Sequence, residues 1–265
     1  MLFRSVQNRP GASGNIGGDV VARAKADGHT LMVGGPNNFA SNQFLYKNLP
    51  YDIEKDLTGI TVLAQLSNVM MVPNSLPVKN LKEFVAAAKA NPDTYNCAST
   101  GAATSSHLTF ELFKDLTKVD VQHIPMKGSA PVVTELMGER VECAFDNLPG
   151  HIARIKGGSY RALAIPATER SKFLPDVPTF AEQGYPEVLS SSWFDLAAPS
   201  ATPSEVLEAI SRETNAILAE PEVINSFETA GYTTGGGTPA ETNAMFQTEI
   251  VKWKRVIEVA DIKLN

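Results

Sequence analysis

The chain has 265 residues, of which 43% are hydrophobic and 20% charged, and a formal net charge of −6 at pH 7. This composition is ordinary for a folded globular protein and disfavours disorder as the main state. The acidic balance and the lack of a Lys/Arg cluster disfavour a nucleic-acid interface, so a bound anion would depend on local donors such as helix N-termini. No stretch of sequence reaches the ~18–20 apolar residues of a membrane span.

Apolar runs that alternate with polar turns predict an α/β protein. In the first part of the chain, the pattern predicts a helix at 17–26, a strand at 30–34, an extended stretch at 60–72 broken near 67–68 and a helix at 81–90. The middle part then alternates: a strand at 95–98, a helix ending near 113, a strand at 121–125, a helix at 129–137, and strands at 141–145 and 162–166. The last part has a helix at 204–219, a glycine loop at 232–238 and a last helix. Thr202 or Ser204 is the expected cap of the helix at 204–219. Strand ends that lead into helix N-termini are where open α/β sheets hold ligands.

The first candidate binding segment is a glycine-rich turn at residues 11–17 that leads into a helix. Such a turn can present backbone N–H groups to an anion, although packing at a helix start explains it as well. Its spacing is G-x-x-G-x-x-G rather than the dinucleotide fingerprint G-x-G-x-x-G, so a nicotinamide site is not expected. The candidates are Gly11, Ser13 and Gly14, with Gly35 and Asn37 after the next strand.

Residues 99–107 form the most informative segment. Small and hydroxyl-bearing residues stand between a predicted strand and a helix N-terminus, where backbone N–H groups lack helical partners. This pattern suits a carboxylate ligand, and an ordinary capped turn is the alternative. The candidate ligand contacts are Ser99, Thr100, Gly101, Thr104 and Ser105.

Two further strand ends repeat the pattern. Lys127, Gly128 and Ser129 follow the strand predicted at 121–125, and Asp146 and Asn147 follow the one at 141–145. An asparagine amide can donate to a carboxylate, whereas Asp146 either binds a ligand amine or caps a turn.

Catalytic and metal chemistry have little support in the sequence. It contains no G-x-S-x-G elbow, no P-loop and no H-E-x-x-H motif. The histidines are scattered, and His107 on the first turn of a helix is expected to be structural. Cys97 and Cys143 lie in apolar, strand-like runs and are expected to be buried free thiols. We therefore expect no catalytic residue, no metal and no cofactor.

Together, these segments resemble the solute receptors of tripartite tricarboxylate transporters, also called Bug or TctC-like receptors. The matching stretches occur in the family's order and cover nearly the whole chain: NRPGASGNIG at 8–17, LPYD at 49–52 with KD at 55–56, STGAATSSHL at 99–108, HIP at 123–125 with KG at 127–128, PDVPT at 175–179 with Glu182 and Gly184, WF at 193–194 and APSATP at 198–203. Each motif is weak alone, and the ordered set is specific.

The resemblance implies a type II periplasmic-binding-protein fold, with two α/β lobes joined by two crossover strands. Mapped onto this chain, lobe one comprises residues 1–68 and 193–265, and lobe two comprises residues 69–192, with the crossings at 69–72 and 189–193. Ligand binding would close the two lobes by a hinge motion.

The same resemblance implies an extracytoplasmic, monomeric solute-binding protein rather than an enzyme. It would capture a small carboxylate, which could be a di- or tricarboxylate, an acidic amino acid or an aromatic acid, and deliver it to the membrane permease subunits of the transporter. The ligand-sensing domain of a transcription regulator and a small-molecule enzyme are the alternatives. A regulator would have an upstream helix-turn-helix and a basic face, which this sequence does not show.

The sequence departs from the family pattern at its beginning. Family members carry a signal peptide, a first strand and a Pro/Gly-rich ligand loop before the NRPG motif, which starts here at Asn8. We therefore expect a fragment or a mis-started reading frame that lacks these segments. Full-length family members would be periplasmic, whereas this polypeptide is not expected to export itself.

Overall fold

The structure, a computed structural model, describes residues 5–259 and 262. In this part of the chain, strands and helices alternate as the sequence predicts. The strands are β1 (Met32–Gly34), β2 (Leu57–Val72), β3 (Tyr95–Ser99), β4 (Val121–Pro125), β5 (Cys143–Asn147), β6 (Arg161–Ala164), β7 (Ser191–Pro199) and β8 (Thr233–Gly236). The α-helices are α1 (Asn15–Ala22), α2 (Asn42–Leu45), α3 (Ile53–Asp56), α4 (Leu81–Ala90), α5 (Ser105–Thr117), α6 (Ser129–Met137), α7 (Ile152–Lys156), α8 (Ser204–Leu218), α9 (Pro221–Thr229) and α10 (Pro239–Val259).

The long strand β2 joins two groups of strands. Over residues 57–67 it pairs antiparallel with β7, which also pairs with β1, and β8 pairs with part of the same stretch. From Asn68 onward it pairs antiparallel with β5 and β6, and β3 and β4 extend this second group in parallel. The predicted break near residues 67–68 is therefore a change of partner within one continuous strand. The lobe boundaries at 68 and 193 stay a prediction.

Each group of strands has its own hydrophobic core. Phe39 and Phe246 stack beside the first group, with ring centroids 4.7 Å apart. Phe145 lies in a cluster of buried aromatic side chains beside the second group. Full burial of each such ring contributes about 1.5–3 kcal/mol. A further buried cluster contains both Ala40, from the segment before α2, and Ala103, from the segment before α5, so it brings the two groups into contact.

Local sequence rules explain where several helices begin. Asn80 caps α4 by accepting a hydrogen bond of 2.9 Å from the N–H of Glu83, and the predicted bounds of α4 are confirmed. The predicted caps of α8, Thr202 and Ser204, are wrong. Pro203 occupies the N-cap position, and no side chain accepts a hydrogen bond there. The proline side chain has no oxygen that could accept a hydrogen bond from the first helical N–H groups, so α8 begins without a side-chain cap.

Two predictions are corrected by pairing between distant segments. The predicted glycine loop contains strand β8, where a Cβ atom on Gly235 would lie 2.3 Å from the carbonyl oxygen of Val62. Cys97 and Cys143, predicted as free thiols, form a disulfide. They lie opposite each other on the parallel strands β3 and β5, with Cα atoms 4.5 Å apart. Both corrections depend on strand register, which a single sequence does not reveal.

Candidate ligand-binding site

The first part of the candidate site is the glycine turn, residues 11–14. Its Ser13 has a left-handed backbone, with φ of 52°. The Ser13 carbonyl accepts hydrogen bonds from the side-chain amides of Asn37 at 2.6 Å, Asn38 at 3.1 Å and Asn42 at 3.2 Å. A Cβ atom on Gly14 would lie 2.4 Å from the amide nitrogen of Asn38, so the turn can approach these amides only with glycine there. The structure therefore brings Ser13, Gly14 and Asn37 together.

The asparagines around this turn are functional candidates that sequence reasoning missed, apart from Asn37. The Ser13 hydroxyl also accepts a hydrogen bond of 3.0 Å from the Tyr46 hydroxyl. Gly35 is buried, and its N–H donates to Asn38 Oδ1 at 3.4 Å, whereas Gly11 is exposed. The available signal was the asparagine-rich run PNNFASN at 36–42, shortly after a strand.

The second part is the hydroxyl loop, residues 99–106, which is organised by its own side chains. The hydroxyl oxygens of Thr100 and Ser106 lie 2.7 Å apart, those of Thr104 and Ser106 lie 3.0 Å apart, and Thr100 donates to Thr104 at 3.1 Å. Thr104 also caps α5, because it accepts a hydrogen bond from the N–H of His107. By contrast, the half-buried Ser105 hydroxyl at the start of α5 makes no hydrogen bond with the residues that the structure describes, and its predicted ligand contact stays a prediction.

The buried side of the hydroxyl loop contacts two histidines. Ser99 is fully buried, and its hydroxyl lies 2.7 Å from Nε2 of His123. Burial lowers the pKa of His123 to about 3, because a charged ring would lose its hydration there, so this ring is neutral at physiological pH. Ser99 therefore faces inward, and its predicted ligand contact stays a prediction.

The same histidines, with Glu111, are the cluster in the described chain that most resembles a metal site. Their potential ligand atoms lie within 4.8 Å of one another. However, the rings of His107 and His123 stack face to face at 3.9 Å with an angle of 8°. Their nitrogen lone pairs thus lie in two parallel planes, which is unfavourable for one shared ion. The ammonium of Lys114 also lies 3.5 Å from Glu111. The arrangement fits a hydrogen-bonded network better than a metal centre.

The third part is the lysine loop, residues 126–129, which lies along the hydroxyl loop. The N–H of Met126 donates to the carbonyl of Ser99 at 2.9 Å, and that of Gly128 donates to the carbonyl of Thr100 at 3.0 Å. Lys127 is exposed and forms no ion pair with any residue that the structure describes. Lys127 therefore brings a positive charge onto a loop whose backbone is hydrogen-bonded to the hydroxyl loop.

Asp146 lies beneath the lysine loop and is not exposed. The side chain is fully buried, and its Oδ1 accepts hydrogen bonds from the Ser129 hydroxyl at 3.0 Å and the Asn147 N–H at 2.6 Å. Its Oδ2 lies 2.7 Å from Nε2 of His151, whose Nδ1 lies 2.6 Å from the Tyr160 hydroxyl. Because protein partners occupy both carboxylate oxygens, the geometry favours the turn-holding alternative for Asp146. Ligand contacts by Asp146 and Asn147 stay predictions.

The geometry thus provides two groups of donors. The glycine turn and its asparagines form the first, and the hydroxyl and lysine loops form the second. Ala40 and Ala103 share a buried cluster, so the two groups lie on adjoining segments of the two halves of the fold.

The model of the tripartite tricarboxylate transporter family receptor matches residues 5–262. The chain belongs to this family. The Bordetella pertussis protein BugT is 34% identical to this receptor over 261 residues, which cover 98% of this chain and 80% of BugT. The sequence prediction of the family is confirmed.

Solved structures show the same fold. A Rhodopseudomonas palustris protein solved with adipate has a TM-score of 0.90 and 33% identity, and the match covers 98% of this receptor and 87% of that chain. MatC of the same organism, solved with bound malate, has a TM-score of 0.82 and 28% identity, covering 93% and 85%. The receptor therefore has the two-lobed α/β fold of periplasmic solute-binding proteins and belongs to a class of transport receptors, not enzymes. Among its described helices, none is long and apolar enough to span a membrane.

Proposed function

We propose that this receptor binds a small carboxylate between its two lobes, with dicarboxylates of about four to six carbons as the first class to test. The observation that carries the proposal is the hydroxyl loop, whose hydroxyls are mutually bonded while Ser105 is left free at the N-terminus of α5. Dicarboxylates are favoured because similar receptors were solved with adipate and with malate.

The electrostatics of the second donor group support an anionic ligand. The N-terminus of α5 carries partial positive charge and N–H groups without helical partners. Its first turn contains no acidic residue. Lys127 adds a full positive charge from the adjoining loop. These local donors can hold a carboxylate although the whole chain is acidic.

We further propose that the lobes are residues 1–68 with 193–265 and residues 69–192, and that they close around the ligand. The partner change of β2 near residues 67–68 and the nearby start of β7 at Ser191 support a hinge at this position. A receptor that closes in the periplasm would then present its carboxylate to the permease subunits of a tripartite transporter.

A thermal-shift panel of about thirty small carboxylates, including adipate and malate, tests the proposal. A ligand at 100 times its Kd adds about 2.7 kcal/mol of stability, which is readily detected. Lys127→Met should weaken the binding of any carboxylate that shifts the melting temperature. Lys82→Met is the matched control, because Lys82 is also exposed but lies on α4. If the folded wild type responds to no carboxylate, the proposal is wrong. If the two lysine variants bind equally well, Lys127 is not part of the site.

A further inference from the structure

The two stacked histidines beneath the hydroxyl loop contact it through different ring nitrogens. His107 comes from the first turn of α5 and His123 from the middle of β4. Nδ1 of His107 accepts a hydrogen bond of 3.0 Å from the N–H of Ala103, and Nε2 of His123 lies 2.7 Å from the Ser99 hydroxyl. The two contacts hold opposite ends of the loop.

The contact of His107 has a defined direction. A backbone N–H can only donate, so Nδ1 of His107 carries no proton and the proton of the neutral ring is on Nε2. That nitrogen faces Glu111, with 3.6 Å between Nε2 and Oε1. Ala103 has a left-handed backbone, with φ of 66°, which is unfavourable for a residue with a Cβ atom. The hydrogen bond to His107 helps to hold Ala103 in this conformation.

The contact of His123 holds the start of the same loop. The Ser99 hydroxyl also accepts a hydrogen bond of 3.3 Å from the N–H of Gly101. Gly101 has φ of 142° and a Cβ atom there would lie 3.1 Å from the carbonyl oxygen of Met126, so the loop is tightly placed at this point. If the Ser99 hydroxyl were displaced, the N–H of Gly101 would lose this hydrogen-bond partner. The part of the loop between Gly101 and Ser105 could then shift.

We infer that His107 and His123 are positioning residues that fix the hydroxyl loop for its ligand, the first through Nδ1 and the second through Nε2. The inference rests on the proposed carboxylate site. It assigns to each ring nitrogen a separate role, which simple packing of two aromatic rings does not require.

Substitution by amides can separate the two nitrogens, because the asparagine amide reaches the position of Nδ1 and the glutamine amide reaches that of Nε2. His107→Asn keeps an acceptor for Ala103, whereas His107→Gln loses it. For His123 the order is reversed: His123→Gln keeps a partner for Ser99 and His123→Asn loses it. Each pair has the same chemistry and nearly the same size, so each variant is the control for the other.

The readouts are the Kd values for adipate and malate, the melting temperature without ligand, and amide hydrogen exchange of Ala103 and Gly101 without ligand. We expect His107→Gln and His123→Asn to weaken binding about tenfold, which is the loss of one hydrogen bond, and the opposite variants to stay within about threefold. Exchange at Ala103 should accelerate in His107→Gln more than in His107→Asn.

Equal affinities within both pairs would overturn the inference while leaving the proposed function intact. If the wild type binds neither probe but other carboxylates, the same comparison is made with the carboxylate that binds. If it binds none, the proposed function fails, and the ligand-free exchange rates still decide whether the histidines hold the loop. In that case, equal amide exchange at Ala103 in both His107 variants would overturn the inference that His107 holds the loop.

Discussion

We expect the buried carboxyl of Asp195 to make the stability of the receptor depend strongly on pH. It lies within β7, opposite Gly34 of β1 and Val62 of β2, and its side chain is fully buried. Neither carboxyl oxygen has a hydrogen-bond partner in the described part of the chain. Burial raises the pKa of Asp195 to about 9, because an ionised carboxylate would lose its hydration without compensation.

The sign of the pH effect follows from this shift. The carboxyl ionises near pH 3.8 in the unfolded chain and near pH 9 in the folded protein. Between these values the folded state holds a proton that the unfolded state has released, so the free energy of unfolding falls as pH rises. The slope is about 1.36 kcal/mol per pH unit, which amounts to about 2.7 kcal/mol between about pH 5.5 and about pH 7.5.

Urea denaturation at three pH values in this range, with wild type and Asp195→Ala, measures the effect. We expect the stability of the variant relative to wild type to increase by about 2.7 kcal/mol from the lowest to the highest pH, because the variant has no carboxyl to titrate. Asp120→Ala, at an exposed position, is the control and should follow the wild-type slope. Parallel pH profiles of wild type and Asp195→Ala would refute the reasoning.

Four further predictions concern the site and the core. Ser105→Ala should weaken carboxylate binding about tenfold in calorimetry without lowering the melting temperature, whereas Thr104→Ala should cost about 1 kcal/mol of stability because Thr104 caps α5. Gly14→Ala should destabilise the folded state by at least about 1 kcal/mol in urea denaturation, because φ is 86° and the Cβ atom meets a side-chain amide. Reduction of the disulfide between Cys97 and Cys143 should cost about 2–4 kcal/mol, seen as a lower melting temperature with reductant.

Each of these predictions has an outcome that would contradict it. Wild-type stability of Thr104→Ala would show that its hydroxyl does not stabilise α5. Unchanged affinity in a well-folded Ser105→Ala variant would remove that hydroxyl from the site. Wild-type stability of Gly14→Ala would show that the glycine turn can relax away from the asparagines. A melting temperature that does not respond to reductant, with free thiols detected beforehand, would mean that the two cysteines are not bonded in solution.

The sequence alone determined those features that depend on neighbours along the chain. The spacing of apolar residues predicts α4 and β4 with the bounds that the structure shows. The small and hydroxyl residues at 99–106 predict a loop that leads into a helix, and Thr104 caps that helix. Periodicity, caps and turns act over a few residues, so they can be read locally. The ordered motifs likewise identify the family, because each is a short local segment and together they cover nearly the whole chain.

Only the tertiary structure decided what depends on contacts between distant segments. The bond between Cys97 and Cys143 requires the register of β3 and β5, and the pairing of β8 requires the approach of Gly235 to β2. The inward direction of Asp146 and the stacking of His107 on His123 are likewise set by packing. Side chains far apart in the chain meet only when sheet register and helix packing are established, and this positional information is absent from local sequence patterns.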